Sequence, residues 1–122
     1  MERLDRQSVS GRQVRIESVG VCALDCRRVD VAVDLTPSPE GTRIELAIEE
    51  PSGAELVSAT VIGNCQPVLD RRLHPRRHPE PGVHTLHVGV FYQDELIDHV
   101  QRQFTFPLPG PAPEPGSPEQ PA

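Results

Sequence analysis

The feature that most constrains the fold of this chain is a repeated alternation of apolar and polar residues with a period of two. Most alternate residues are apolar over 29–35 and 44–48, and the same pattern returns over 55–63, 84–92 and 96–106. Successive side chains of a β-strand point to opposite faces of the sheet, so this period predicts strands with one buried and one solvated face. Strands of this kind are typical of antiparallel sheets.

Turn-forming residues separate these segments. The stretch 36–41 contains two prolines and a glycine, and we therefore interpret 29–35 and 44–48 as a hairpin. Val14 and Ile16 predict a short opening strand at a sheet edge. No ten-residue window combines a period of 3.6 with helix caps, so we expect helices to be absent or limited to a short turn around 66–73.

The number of predicted strands and the composition together favour one all-β domain. Six or seven short strands separated by turns indicate a two-sheet sandwich, with a small barrel as the alternative. The chain has 36% hydrophobic but only 3% aromatic residues, so its core is expected to consist of Val, Ile and Leu. We expect a flexible leader over 1–12, the β-sandwich domain over 13–106 and a disordered tail over 107–122.

The predicted tail contains seven of the fourteen prolines. Proline fixes φ and lacks the backbone donor, so a segment this rich in proline favours extended chain over a packed core. The tail is interpreted as a solubilising terminal segment, and a ligand for a proline-binding module is the alternative.

The end of the predicted domain resembles the last hairpin of immunoglobulin-like and fibronectin-type-III-like domains. In those families the penultimate strand commonly begins Pro-Gly-x-Tyr-x-Leu-x-Val, and from Pro81 this chain reads Pro-Gly-Val-His-Thr-Leu-His-Val. His84 stands at the tyrosine position, where an imidazole donates to a backbone carbonyl with less reach than a phenol. The resemblance implies an immunoglobulin-like antiparallel β-sandwich of six to seven strands, and a fold of this kind implies no particular chemistry.

The charge and the hydropathy of the chain exclude several classes of function. The formal net charge is -6, whereas a general nucleic-acid coat needs a basic surface that displaces counterions from phosphates. The first twenty residues contain no apolar run of signal-peptide length, and no stretch approaches the roughly 20 apolar residues that cross a bilayer. We therefore expect a soluble, cytoplasmic protein with no membrane partner and no nucleic-acid partner.

A basic loop over 71–87 has the most unusual local composition in the chain. Its arginines are the candidate residues for binding an anion or an acidic partner: Arg71, Arg72, Arg76 and Arg77. A guanidinium group matches the geometry of phosphate and carboxylate groups. The alternative interpretation is a solvated loop between strands, because surface loops tolerate charge and three prolines interrupt this one.

The histidines of this loop and the cysteines of the chain are residue types that bind metal ions. The candidate ligands are His74, His78, Cys22, Cys26 and Cys65. Their spacing argues against a site, because prolines break the segment that holds both histidines and no second close cysteine pair completes a zinc motif. His84 and His87 differ by an odd number and are expected on opposite faces of a strand. We predict no metal and no cofactor, with the odd number of cysteines indicating reduced thiols; one disulfide with one free thiol is the alternative.

No catalytic motif is present, and we predict that the protein is not an enzyme. A thiol-dependent enzyme would need a cysteine within reach of a histidine in the fold. The leading hypothesis is a non-catalytic interaction or accessory module that binds another protein through a sheet edge near Val14 and Ile16 or through the arginine loop. The alternative hypothesis is an anion- or metal-binding domain that uses the Arg- and His-rich loop 71–87.

Overall fold

The computed structural model describes residues 8–107 and shows an all-β protein. A short 3-10 turn, Gly11–Gln13, precedes the strands. The strands in chain order are β1 (Ile16–Asp25), β2 (Arg28–Leu35), β3 (Thr42–Glu49), β4 (Glu55–Asn64), β5 (Val68–Leu73), β6 (Val83–Tyr92) and β7 (Glu95–Thr105). The part of the chain that is described contains no helix long and apolar enough to span a membrane.

The seven strands form two antiparallel sheets that face each other. The first sheet, sheet A, has the order β1-β2-β5, and the second, sheet B, has the order β4-β3-β6-β7. All strand pairs are antiparallel. The predicted all-β, immunoglobulin-like sandwich of six to seven strands is thus confirmed, and two separate sheets replace the alternative of a small barrel.

The core fills the space between the sheets with aliphatic side chains. In β2 and β3 every second residue is buried, as the period-two pattern predicts. The fully buried side chains include Val29 and Val33 from sheet A and Ile44, Ile48 and Leu86 from sheet B. Burial of each such side chain contributes about 1.5–3 kcal/mol, so these alternating positions supply most of the driving force for folding.

The described chain contains no α-helix, as expected, but two expectations about local structure are wrong: the short helical turn around 66–73 and the hairpin of 29–35 with 44–48. Residues 68–73 form the edge strand β5 instead of a helical turn, because their backbone pairs with β2 from Val29↔Leu73 to Asp34↔Val68. Leu69 and Leu73 are buried four residues apart, and that spacing also suits a helix. Strands β2 and β3 do not form a hairpin, since they belong to different sheets and the chain crosses between the sheets over 36–41.

The opening strand also differs in length from the expectation. Strand β1 is at an edge of sheet A, as predicted, but it has ten residues and extends to Asp25. Val14 precedes it and is buried in the core.

The strand directions place the loops at two ends of the sandwich. One end carries the β1–β2 turn, the β3–β4 turn, the β5–β6 loop and residues 105–107; we call it the basic end. The other end carries residues 8–15, the crossover 36–41 and the β6–β7 turn. Residues 8–12 of the predicted leader contact the domain here, where the Val9 N–H donates to the Pro37 carbonyl at 2.9 Å. Residues 1–7 of the predicted leader and 108–122 of the predicted tail lie outside the described part of the chain.

Candidate functional site at the basic end

The site begins with the buried carboxylate of Glu50, which holds the β5–β6 loop against sheet B. Glu50 follows β3 directly, and its side chain is fully buried. One carboxylate oxygen accepts a hydrogen bond from the Arg77 guanidinium, and the other accepts one from the Glu80 N–H at 2.9 Å. Arg77 also donates to the Glu55 carbonyl at 2.8 Å. Two points of the loop are therefore fixed by one side chain.

A second set of hydrogen bonds, made by Glu80, attaches the β5–β6 loop to the β3–β4 turn. Its carboxylate accepts hydrogen bonds from the Ser52 N–H at 3.1 Å and from the Ser52 hydroxyl at 2.8 Å. Pro75 and Pro79 are buried within the loop. These contacts give the β5–β6 loop a defined shape, although it has no regular secondary structure.

Burial and hydrogen bonding act in opposite directions on Glu50. Burial by itself raises the pKa of this carboxyl, because a low-dielectric environment disfavours the charged form. The hydrogen bond from the Glu80 N–H and the charge of Arg77 outweigh that effect, and the pKa of Glu50 is lowered from its usual value of 4.5. The carboxylate is ionised at neutral pH and contributes to holding the loop.

His84 completes the buried base of the site. Its side chain is fully buried beside Glu50, with 3.9 Å between His84 Nε2 and Glu50 Oε2. The ring packs against Phe104 and Phe106 at centroid distances of 5.9 and 4.9 Å. Its Nδ1 contacts the carbonyl oxygen of Gly82 at 3.2 Å, so the imidazole at the tyrosine position of the resemblance reaches a carbonyl only two residues upstream.

Two adjoining grooves open on the surface of this end. The apolar groove has a volume of about 480 Å³ and takes its apolar wall from Pro79, Pro81, Val83, Phe106 and Pro107. The basic groove has a volume of about 390 Å³ and is lined by Cys26, Arg27, Pro75, Arg76, Arg77 and His78. Cys26 and His78 line both grooves, which therefore form one continuous surface.

The four predicted arginines differ in the partners they have. Arg72 lies on β5 and forms two hydrogen bonds with Asp30 of β2, at 2.7 and 3.1 Å, which lower the pKa of Asp30 and raise that of Arg72. Arg77 is engaged by Glu50. Arg71 donates only to the carbonyl of Asp70 at 3.0 Å. Arg76 has no hydrogen-bond or ion-pair partner within residues 8–107.

Arg27 is a basic residue of the site that the sequence analysis did not single out. It lies in the β1–β2 turn, where its backbone N–H donates to Asp25 at 2.8 Å and its exposed guanidinium has no acidic partner in the described chain. The next arginine, Arg28, is paired with Asp25. Arg27 and Arg76 line the same groove only because the β1–β2 turn lies beside the β5–β6 loop in the fold. Glu50 was also missed, since its burial depends on a loop some thirty residues further along the chain.

The candidate metal ligands of the sequence analysis lie apart. Cys22 is exposed on β1, and Cys26 and His78 meet at the basic end. Cys65 lies at the opposite end, where its thiol contacts the Pro39 carbonyl at 3.5 Å. His74 is exposed at the start of the β5–β6 loop. No group of three or more His, Cys, Asp or Glu side chains in the described residues is arranged to hold a metal ion.

A third concavity lies on the outer face of sheet A. It is shallow and open to solvent, and it is lined by small residues such as Gly20 and Ala32 together with the Asp30–Arg72 ion pair. Asp30 and Arg72 are paired with each other, and the lining also contains the carboxylate of Asp70 and the guanidinium of Arg71. Acidic and basic groups are thus equal in number here, so this concavity lacks the excess of positive charge found at the basic end.

Comparison with solved structures identifies the same type of fold in larger proteins. A glycosyl hydrolase family 2 member from Bacteroides cellulosilyticus matches 76% of this chain with a TM-score of 0.58 and 14% identity. The β-glucuronidases of Parabacteroides merdae and Bifidobacterium dentium match 77% and 78% of it, both with TM-scores of 0.60, at 15% and 13% identity. At this identity the likeness concerns the fold alone.

The matched region is a small part of each of those proteins. This chain spans 15% of the Bacteroides chain, 13% of the Parabacteroides chain and 18% of the Bifidobacterium chain. The sequence matches no protein-family model and no curated protein.

Proposed function

We propose that the protein is a non-catalytic interaction module whose basic end binds an acidic segment of a partner protein. The observation that carries this proposal is the continuous surface at the basic end, where a cationic groove adjoins an apolar one. The comparisons support the modular part of the proposal, because sandwiches of this fold occur as small parts of much longer chains.

The charges of the basic groove select for an anionic partner. Arg27 and Arg76 have no carboxylate partner among residues 8–107, although the whole chain carries a net charge of -6. Carboxylates of a partner would form charge-assisted hydrogen bonds with these guanidinium groups. Such a positive region on an acidic protein also steers the approach of an acidic partner.

The apolar groove adds a second requirement. Its wall of prolines, Val83 and Phe106 offers a pocket for one large apolar side chain, and its volume is within the range of about 300–1,000 Å³ of ligand pockets. A free inorganic anion would not fill it. The favoured ligand is therefore a peptide segment that combines acidic residues with one large apolar residue.

Selection of peptides from a random library displayed on phage, with the untagged protein as bait, tests this proposal. We expect the enriched peptides to combine acidic residues with one Leu, Phe or similar residue. Their binding should fall at least tenfold in the variant Arg27→Glu/Arg76→Glu. The matched control is Arg15→Glu/Arg102→Glu, which changes the charge equally at two arginines whose side chains donate only to backbone carbonyls.

Three results would overturn the proposal. These are the enrichment of no peptide, the enrichment of peptides that lack acidic residues, and undiminished binding by the Arg27→Glu/Arg76→Glu variant with its fold intact. Retention on heparin or phosphocellulose, abolished by replacing Arg71, Arg72, Arg76 and Arg77 with Ala, would instead favour the alternative of a general anion-binding loop if no peptide binds.

A further inference from the structure

A pair of histidines lies on the outer face of sheet B, away from the basic end. His87 is on β6 and His99 is on β7, and the register pairs His87 with Gln101 and Gly89 with His99. The two histidines are therefore diagonal neighbours on the same face of one hairpin. Diagonal neighbours across a strand pair are within reach of long or aromatic side chains.

The two imidazoles approach through one nitrogen each. His87 Nδ1 and His99 Nε2 are 3.3 Å apart, which is a hydrogen-bond distance. The ring centroids are 5.5 Å apart with 26° between the planes, so the rings meet nearly edge to edge. His99 is exposed, and the side chain of His87 is 28% exposed, so solvent and ions reach both rings.

Glu49 orients the ring of His87 from the neighbouring strand β3. Its carboxylate oxygen lies 2.8 Å from His87 Nε2. A carboxylate accepts a hydrogen bond, so Nε2 carries the proton and the lone pair of the neutral ring is on Nδ1, the atom that faces His99. His99 Nε2–H donates to this lone pair in the metal-free protein, and a bound metal ion would replace that proton. This carboxylate–histidine arrangement is the one that commonly supports a metal-bound imidazole in proteins.

The separation of the two nitrogens matches the geometry of zinc. Two nitrogens that each bind a tetrahedral Zn²⁺ at about 2.0–2.1 Å are about 3.3–3.4 Å apart. We propose that His87 Nδ1 and His99 Nε2 are the protein ligands of a surface Zn²⁺ site, in which Glu49 is the positioning residue and water fills the other two positions.

With two protein ligands, this site is expected to bind Zn²⁺ more weakly than structural sites with four. The open positions remain available to a further ligand from outside the domain. The site is independent of the proposed function, because none of its residues lines the basic or the apolar groove.

Calorimetric titration of the untagged protein with zinc chloride tests the site directly. We expect saturable binding of one ion per chain, together with shifts of the ring nitrogens of His87 and His99 in long-range ¹H–¹⁵N spectra. Each of the variants His87→Ala and His99→Ala should lose the binding. The control His74→Ala/His78→Ala should keep it, since both of these histidines lie in the β5–β6 loop.

The variant Glu49→Gln tests the positioning role. We expect its affinity for Zn²⁺ to fall by about 10–100-fold, with the ring-nitrogen shifts of His87 altered even without metal, because a neutral amide oxygen accepts from Nε2–H less strongly than a carboxylate and holds the tautomer less firmly. Absence of saturable binding, or binding that survives His87→Ala and His99→Ala, would overturn the site. Unchanged affinity and unchanged His87 shifts in Glu49→Gln would overturn the role of Glu49.

Discussion

At the scale of single residues, Glu50 organises the candidate site although it would not touch the partner. Its carboxylate accepts from a guanidinium and from a backbone N–H of the same loop. Removing one partner from such a buried arrangement leaves the remaining polar groups without compensation, which costs more than the intact contact contributes. The shape of both grooves therefore depends on one acidic side chain that follows the end of a strand.

We predict that Glu50→Gln destabilises the protein by about 2 kcal/mol, since the amide nitrogen would face one of the two donors that the carboxylate now accepts from. Chemical denaturation followed by circular dichroism measures the loss. The control is Glu95→Gln, which removes an exposed carboxylate paired with Arg12 and should leave stability nearly unchanged.

The pH dependence of stability provides a second test of the role of Glu50. The pKa of Glu50 is lower in the folded state than its usual value of 4.5, so its contribution is fully present above about that pH and is lost as the pH falls through the folded value. The acid limb of the stability curve should therefore be shallower in Glu50→Gln than in the parent. Equal acid limbs would contradict the assignment of Glu50 as an ionised buried group.

At the scale of elements, the turn of the β6–β7 hairpin has a strained backbone conformation, and neither of its residues is the glycine that would adopt it without strain. Its two-residue turn consists of Gln93 and Asp94, and both have positive φ, at 52° and 65°. Two left-handed residues in succession are the signature of a type I′ turn, for which Asn-Gly is the preferred sequence. The hairpin nevertheless forms, because β6 and β7 pair over ten residue positions.

Replacing the turn by Gln93→Asn/Asp94→Gly is predicted to stabilise the protein by about 1 kcal/mol, since a non-glycine residue in the left-handed region costs roughly 1–2 kcal/mol. The lost ion pair between Arg43 and Asp94 is exposed and offsets little of this gain. Thermal unfolding measures the change. Gly53→Ala is the converse control and should destabilise, because the φ of Gly53 is 96° and a Cβ there would meet only Glu49 Oε2, at an ordinary contact distance of 3.9 Å. A gain in both variants would contradict the explanation.

At the scale of the whole molecule, the two ends of the sandwich differ in chemistry. The end opposite the grooves is closed by contacts between residues 8–15, the crossover 36–41 and the β6–β7 turn, among them the Arg12–Glu95 ion pair. The basic end instead leaves Arg27 and Arg76 without acidic partners in the described chain. In the proposed function, this difference between the ends is what attracts an acidic partner to the basic end.

The distribution of the thiols over the molecule leads to a further prediction. Cys22 and Cys65 are exposed, Cys26 is half-buried, and none of the three is bonded to another. Mass spectrometry of untagged protein prepared without reductant should give the mass of the reduced chain, with three thiols open to iodoacetamide and Cys26 the slowest. A mass lower by two hydrogens would contradict this prediction and indicate a disulfide.

The sequence by itself determined the fold class and most strand positions. The alternation over 29–35, 44–48 and 84–92 is a local signal. Because successive side chains of a strand point to opposite faces, the apolar residues in such a pattern identify the face that is buried in the core. The arginine loop was also visible in the sequence as a cluster of charge. A cluster of arginines in the sequence shows where basic groups are in the chain, but it does not show which of them form ion pairs with carboxylates.

Only the tertiary structure decided the partners of those groups and the grouping of the strands. Asp30 pairs with Arg72 and Glu50 with Arg77 across 42 and 27 positions of sequence, and His99 meets His87 only through the register of a hairpin. In the same way, β2 and β3 are consecutive in the chain but lie in different sheets. Burial and electrostatic pairing depend on distances in space, and a local pattern contains no information about segments that are brought close only by packing of the two sheets.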